Sequence, residues 1–528
     1  MRLQASIPII EEIRSITGNA GLSIGVLHKG EVIFRENLGY RDVENKVAPD
    51  SDTIFPIASL TKALVAAAFA ELVDDGKLTW ETKLSDLVPE YKSLTDDIKL
   101  PQLVTEANIV DLLAHRLGLT AGNNFWSQKQ QIVLADKTET ARILGSLQPV
   151  AEFRSKMVYS NWGYGLAGEI LEDISNQGLG TCLKTKLFEP LNMARTKLGH
   201  LDDSNSAKSY MALGDATPFL VPPTAYVEGT ARAGAGACKS TVNDLLVLYN
   251  SWMGAAAEQQ ESGNTFSPES PIRRASELWT SHASMTNDTS YGLGWVLTEL
   301  PGQGGLVGVN GYEADSMPII AKGTTKQRMV YHQGSVCGAL SAVYLLPDTR
   351  TAVIVLGNSF DLCDTPDWAS QVLLEAILAP TEPNDYIELA RKTSANALSH
   401  HEPTATQLRE EKESGTTPKS LDQYEGRYYN KIGNFFLDIS IDGEGLRMAP
   451  QGYDAASYSL HHYHNDVFAW DCNRDAESKE ALYPQFAIGF HRVRFEADES
   501  GNVVQFNWQI DKAIAEGETF FKKAEPKL

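Results

Sequence analysis

Ser59 and Lys62 stand three residues apart in Phe55-Pro56-Ile57-Ala58-Ser59-Leu60-Thr61-Lys62, just before a run of alanines and larger apolar residues. Residues i and i+3 of a helix share a face, so the lysine amine can reach the serine hydroxyl. Unpaired N–H groups at the start of that helix would point toward developing negative charge. A lysine enclosed by apolar walls gives up its proton more readily, because desolvation disfavours the ammonium, and can then act as a base toward the serine. The chemistry of such a pair is acyl transfer through a serine ester. The motif alone does not establish it: S-x-x-K arises about twice by chance in a chain of this length, and a serine-capped helix with a solvated lysine is the plain alternative.

The elements around the pair can be read from period and punctuation. After Ser59, Val65, Phe69, Leu72 and Val73 fall at helical spacing, five alanines permit close neighbours, and Gly76 marks a stop. A helix is expected over 8–16, followed by strands over 22–28 and 31–39 joined at Lys29-Gly30. Further helices are expected over 84–91, over 108–118 with Asn108 as cap, and after Tyr159-Ser160-Asn161. The segment 200–230 reads as irregular surface and 255–285 as a polar insert. Three later apolar runs, around 291–297, 329–335 and 339–358, add strands, with Pro347-Asp348-Thr349-Arg350 as a hairpin turn, and a helix over 368–378 closes the region. These runs predict an α/β (α+β) fold, an antiparallel sheet flanked by helices with an inserted helical region. From 381 to 420 the chain turns polar, a linker or exposed helix, and over 421–528 short alternating aromatic runs predict a small antiparallel β-barrel. The expected domains are 1–380, a linker over 381–420, and 421–528.

The motifs taken together resemble the serine β-lactamase-like family, which contains class C β-lactamases, penicillin-binding DD-peptidases, esterases, D-aminopeptidases and transesterases. They are F-P-I-A-S-L-T-K with L-V-D-D-G-K-L, N-I-V-D-L-L-A-H-R-L-G-L, Y-S-N before a helix, and H-Q-G-S on a strand, and the resemblance spans about residues 5–380. It implies that Ser59 is the acylated nucleophile, Lys62 its base partner and Tyr159 a second proton carrier. It also implies that Asn161 bonds a substrate carbonyl or orients Lys62. The family's usual K-T-G is replaced by His332-Gln333-Gly334, followed by Ser335. By the same resemblance the backbone N–H groups of Ser59 and Ser335 form an oxyanion hole, His332 contacts substrate, and Gly334 lets substrate approach the strand. Histidine is largely neutral near pH 7 where lysine is a fixed cation. That departure points toward esterase, amidase or acyltransferase chemistry rather than a dedicated β-lactamase. The C-terminal strands resemble the lipocalin-like barrel that follows the catalytic domain in some relatives.

The totals exclude other classes. A net charge of −22 argues against nucleic acid or an anionic membrane as partner, since both need clustered Lys and Arg. Cys182, Cys238, Cys337, Cys363 and Cys472 are odd in number and scattered, neither a disulfide framework nor a zinc set. Glu11 and Glu12 interrupt any secretory apolar stretch and no run is long enough for a membrane span, so a cytoplasmic protein is expected. The glycine-rich G-T-A-R-A-G-A-G-A-C-K-S lacks P-loop spacing and reads as a turn with a helix capped near Ser240 or Thr241. His461, His462 and His464 lack a further ligand nearby, so no metal and no cofactor is expected. The expected partner is a small ester or amide, or a peptide; self-association stays open. So do three activities: hydrolysis, acyl transfer or peptide cyclisation from the same acyl-enzyme, and an idle binding scaffold.

Overall fold

The computed structural model describes residues 2–94 and 96–523, so the last five residues of the C-terminal segment lie outside it. Helix α1 (Arg2–Thr17) leads into strands β1 (Gly21–His28) and β2 (Glu31–Gly39). Their turn puts Lys29 and Gly30 both at positive φ, the geometry that the twist of a tight hairpin demands. The strands β3 (Ala283–Ser284), β4 (Ser290–Tyr291), β5 (Val296–Leu300), β6 (Gln327–Val336), β7 (Ala339–Leu346) and β8 (Thr351–Gly357) complete an eight-stranded sheet. It is antiparallel throughout, in the order β2-β1-β8-β7-β6-β5-β4-β3.

Period-2 alternation divides the sheet's side chains between two layers. Val353 and Val355 of β8 pack with Ile10, Ile13 and Trp368, beneath α1 and a closing helix (Thr365–Leu378). Ala352, Ile354 and Leu356 face the other way, into the helical region. At the centre of that region lies α2 (Thr61–Asp74). It was expected to bury one face; instead it is buried almost all round from Thr61 to Ala70, because its alanines let neighbours close in from every side. The helix expected over 108–118 stops at Leu113 after a capping box on Asn108, since His115 takes a φ of 57° and breaks the turn. Helix α3 (Asn161–Ser175) is capped by Ser160, and α4 (Ala233–Gly236) lies across it. The contact is made by backbone: a Cβ on Gly234 would overlap the Tyr164 carbonyl oxygen, and one on Gly165 the Ala231 carbonyl oxygen. Thr241 caps α5 (Val242–Ser262), whose last turns occupy the start of the expected polar insert.

The polar segment after 380 is helical, as α6 (Tyr386–Ser399) and α7 (His401–Glu410). Beyond it eight strands close a barrel: β9 (Gly426–Tyr429), β10 (Phe436–Asp442), β11 (Gly445–Pro450), β12 (Tyr458–His464), β13 (Val467–Ala469), β14 (Arg492–Ala497), β15 (Val503–Trp508) and β16 (Glu518–Lys522). Tyr428, Phe495, Phe506, Trp508 and Phe520 pack in its interior, which is therefore a solid core. The run 486–490, expected as a strand, is part of an irregular connection ending in a 3-10 turn (Ile488–His491). Among the described residues no helix is long and apolar enough to cross a membrane.

The α3–α4 contact yields a prediction about the fold. Gly234→Ala should lower stability by about 1–3 kcal/mol through overpacking, read as a drop in urea midpoint without a change in slope; an unchanged midpoint would show that the helices have room to separate.

Candidate active site

The turn that carries Ser59 is held from three sides. Phe55 and Pro56 pair with Lys239 and Ser240, the Ile57 N–H donates to the Cys238 carbonyl at 3.0 Å, and the Ser341 hydroxyl of β7 donates to the Ile57 carbonyl at 3.0 Å. Ala58 is forced to a φ of 45°, a left-handed conformation that a residue with a Cβ adopts only when its surroundings over-determine it. Ser59 therefore sits in a 3-10 turn (Ala58–Leu60) immediately before α2, half-buried and facing a cavity.

Lys62 is fully buried. Its Nζ lies 2.9 Å from Ser59 Oγ, 2.9 Å from Asn161 Oδ1 and 2.8 Å from the Ala235 carbonyl. The last two can only accept, so they take two N–H groups and leave the third position directed at Ser59. The Asn161 Nδ2 donates in turn to Asn123 Oδ1 at 3.2 Å. Burial, then the charge of Arg232, hold the Lys62 amine well below the ordinary lysine range. The faces of Tyr159 and Tyr164, 4.8 and 5.5 Å away, favour the ammonium, but a cation–π contact is worth about 2 kcal/mol when desolvated while burying a charge costs several. As a neutral amine, Lys62 points its lone pair at the serine, whose O–H then donates.

Tyr159 and Asn161 flank the Ser160 cap and both project into the cavity. Burial raises the Tyr159 phenol above its ordinary value, so it stays protonated, and the hydrogen bond with Ser59 opposes that rise. Behind Tyr159 lies a ring cluster of His115, Tyr164, Tyr291 and His332, with His115 4.3 Å from Tyr159. His115 Nδ1 accepts from the Ser160 N–H at 3.0 Å. Burial lowers its pKa well below the ordinary histidine value and keeps this imidazole neutral.

Ser59, Tyr159, Asn161 and Ser335 all line one cavity of about 380 Å³. His332 does not. It is buried with Nε2 2.9 Å from the Tyr291 hydroxyl and Nδ1 against the Gln333 carbonyl, and burial takes it down to about 3. Gly334 has a different neighbour from the one expected: a Cβ there would meet the Ile57 carbonyl oxygen and Ser341 Oγ, each at 2.5 Å. Its bareness lets β6 press on the Ser59 turn itself, rather than admitting substrate.

The residues that sequence reasoning missed contribute through backbone or through distant pairing. Ala235 and Arg232 belong to the glycine-rich stretch that was read as a plain turn; its run of small residues was the available signal. The barrel also reaches the site. Asp511 accepts from the Gly122 N–H at 2.9 Å, Asn124 donates to the Ile510 carbonyl at 2.6 Å, and Tyr483 lines the cavity. The loop so clamped carries Asn123, the partner of Asn161. On the barrel, His462 Nε2 bonds the Asn465 carbonyl, and among the described residues His461, His462 and His464 belong to no cluster of metal-ligating side chains. His401, Cys472 and Glu477 do converge, with ligand atoms within 4.8 Å of one another. Glu477 Oε2 accepts there from His401 Nε2 at 3.1 Å and from the Gln485 N–H at 3.2 Å, tying α7 to the barrel.

A family model described as Beta-lactamase matches residues 9–376, and one described as a domain of unknown function (DUF3471) matches 410–523. Protein flp of Staphylococcus aureus (strain COL) is 22% identical over 351 residues, 64% of this chain and 59% of that protein. The unguisins hydrolase ungD' of Aspergillus campestris is 25% identical over 351 residues, 64% of this chain and 58% of that one. The chain thus spans about three fifths of the length of these curated relatives. Among solved structures, the octameric penicillin-binding protein homologue from Pyrococcus abyssi has a TM-score of 0.57 at 18% identity, covering 98% of this chain and 99% of that one. A class C beta lactamase from Rhodobacter sphaeroides has a TM-score of 0.54 at 23% identity, covering 71% and 99%. Both likenesses show the fold.

The state of Lys62 has a consequence for stability. Between its lowered pKa and the ordinary 10.5, the unfolded chain binds a proton that the folded chain lacks, so this group makes stability rise with pH across that interval. Urea denaturation of wild type and Lys62→Met at pH 8 and pH 10 should show wild type gaining on the variant at the higher pH. A constant difference would mean that Lys62 is charged in the folded protein.

Proposed function

The chain belongs to the beta-lactamase family, and from that premise we propose that it is a serine hydrolase that cleaves an ester or amide of a small metabolite or peptide through an acyl-enzyme on Ser59. The observation that carries the reading is the coordination of Lys62: two obligate acceptors and a depressed pKa leave a lone pair aimed at Ser59 Oγ, 2.9 Å away.

In the proposed reaction the Lys62 amine takes the Ser59 proton as Oγ attacks the substrate carbonyl, and the oxyanion is held by the N–H groups of Ser59 and Ser335. The C–O or C–N bond then breaks, and the leaving group receives a proton from the Tyr159 hydroxyl, which Lys62 replenishes. Water, deprotonated through the same groups, attacks the ester and releases the acid and Ser59. Asn161 holds Lys62 in place and His115 fixes the Ser160 backbone beside Tyr159. Because His332 is neutral and bonded to Tyr291, the H-Q-G-S segment offers no fixed cation, which favours an esterase or amidase over a dedicated β-lactamase. One relative is named a hydrolase of unguisins; a peptide amide as substrate here is part of the proposal. Acyl transfer or cyclisation is the second reading, favoured by the barrel segment at the cavity mouth, where Tyr483, Pro484 and Phe486 restrict water.

Incubation with a fluorophosphonate, read by intact mass, should give one adduct located on Ser59 and none on Ser59→Ala. An absent adduct on wild type, or an equal one on the variant, would overturn the hydrolase reading. Tyr159→Phe should lower kcat on an unactivated alkyl ester, whose alkoxide must be protonated to leave, by about 10²-fold or more, and an unchanged kcat would remove Tyr159 from the proton path. Product partitioning between water and added hydroxylamine separates hydrolysis from transfer.

A further inference from the structure

Arg232 stands in the Ser59 cavity. It lies just before α4 and lines the same walls as Ser59 and Asn161. Its guanidinium carbon is 3.8 Å from the Tyr226 ring centroid and 4.2 Å from that of Trp126, and an N–H of Nη1 donates to the Tyr226 hydroxyl. Stacking on two rings fixes the plane of the fork. Among the described residues only that one of its five N–H donors has a protein acceptor, and no carboxylate forms an ion pair with it.

The acids that share the cavity are committed elsewhere. Glu313 holds His400 at 2.8 Å, Asp361 accepts from Ser359 at 2.6 Å and from Asn19 at 3.1 Å, and Asp511 accepts the Gly122 N–H at 2.9 Å. The charge of Arg232 is felt on both sides of the nucleophile, at Lys62 and at Cys337, two residues past Ser335. A largely buried cation with open donors is unfavourable in the empty pocket, and an anion entering there relieves it. His332, meanwhile, contributes no charge from the strand.

We propose that Arg232 is a carboxylate-binding site, so that the substrate is an ester or amide bearing a free carboxylate that lies across the open edge of the guanidinium when its carbonyl meets Ser59. This rests on the acyl-enzyme reading and adds the substrate class. The carboxylate can belong to the acyl part, as in a monoester of a dicarboxylic acid, or to the leaving part, as at a peptide C-terminus. Both present the same group to the same fork.

Two matched pairs of activated esters separate these sources: p-nitrophenyl hemiglutarate against p-nitrophenyl valerate, and 4-carboxyphenyl acetate against phenyl acetate, each ratio corrected for the pair's uncatalysed hydrolysis. One pair should show a charged-to-neutral ratio of kcat/KM of roughly 10 to 100 in wild type, the worth of a charge-assisted bond. Arg232→Met should collapse that ratio, Arg232→Lys should retain part of it, and Tyr226→Phe, which frees the fork, should fall between wild type and Arg232→Met. A ratio unchanged by Arg232→Met, or no preference in either pair, overturns the proposal. Failure of the hydrolase reading is seen separately, as no turnover of any ester. In that event calorimetry with glutarate on Ser59→Ala decides: binding that Arg232→Met removes supports the anion site, and no binding, or binding that persists in the double variant, overturns it.

Discussion

A primary amine buried in the protein is the constraint on which the rest of the site depends. Lys62 lies at the start of a helix that is buried almost all round, and its nitrogen has three protein neighbours. Burying an ammonium costs several kcal/mol. Two neutral acceptors do not repay that, and the positive charge of Arg232 makes it worse. Releasing the proton is the cheaper course, and the resulting lone pair has one direction left open to it, toward Ser59. The alanines of α2, the bare face of Gly334 and the glycine contacts between α3 and α4 all serve that enclosure, because each lets backbone approach where a side chain would hold it off.

The barrel is part of the same arrangement. Its Asp511 and Ile510 grip the loop at 122–124, the loop's Asn123 fixes the amide of Asn161, and Asn161 accepts from Lys62. Hydrogen bonds on either side of the 122–124 backbone thus link the C-terminal barrel to the amine. Since the barrel interior is filled with aromatic side chains, what this domain offers the cavity is its rim, through Tyr483 and its neighbours, and not an internal binding cup.

Much of this was legible in the sequence. The sheet, the buried helix after Ser59 and the barrel follow from apolar period and turn residues; Ser59, Tyr159, Asn161 and Ser335 line one cavity, and Lys62 lies buried against Ser59. What escaped has identifiable physical reasons. Ala235 acts through its carbonyl oxygen, which no side-chain motif can reveal. His115 was hidden inside a helical pattern that ends early because its own backbone turns left-handed. His332 looked like a substrate contact because the strand motif said where it falls along the chain but not that Tyr291, 41 residues away, would claim its ring. Arg232 was set aside with a failed phosphate-loop match, although its value lies in aromatic stacking against residues far away in sequence.

The central claim is that Lys62 is a neutral base poised on Ser59, and the pH dependence of Ser59 acylation tests it most directly. The pseudo-first-order rate of labelling by a neutral fluorophosphonate, followed by intact mass from pH 5 to 11, should rise with the deprotonation of one group and reach its plateau well below 10.5, the ordinary lysine value. In Lys62→Met that rise should vanish. A wild-type rate that climbs only as pH approaches 10.5, or a rise that persists in the variant, would contradict the account.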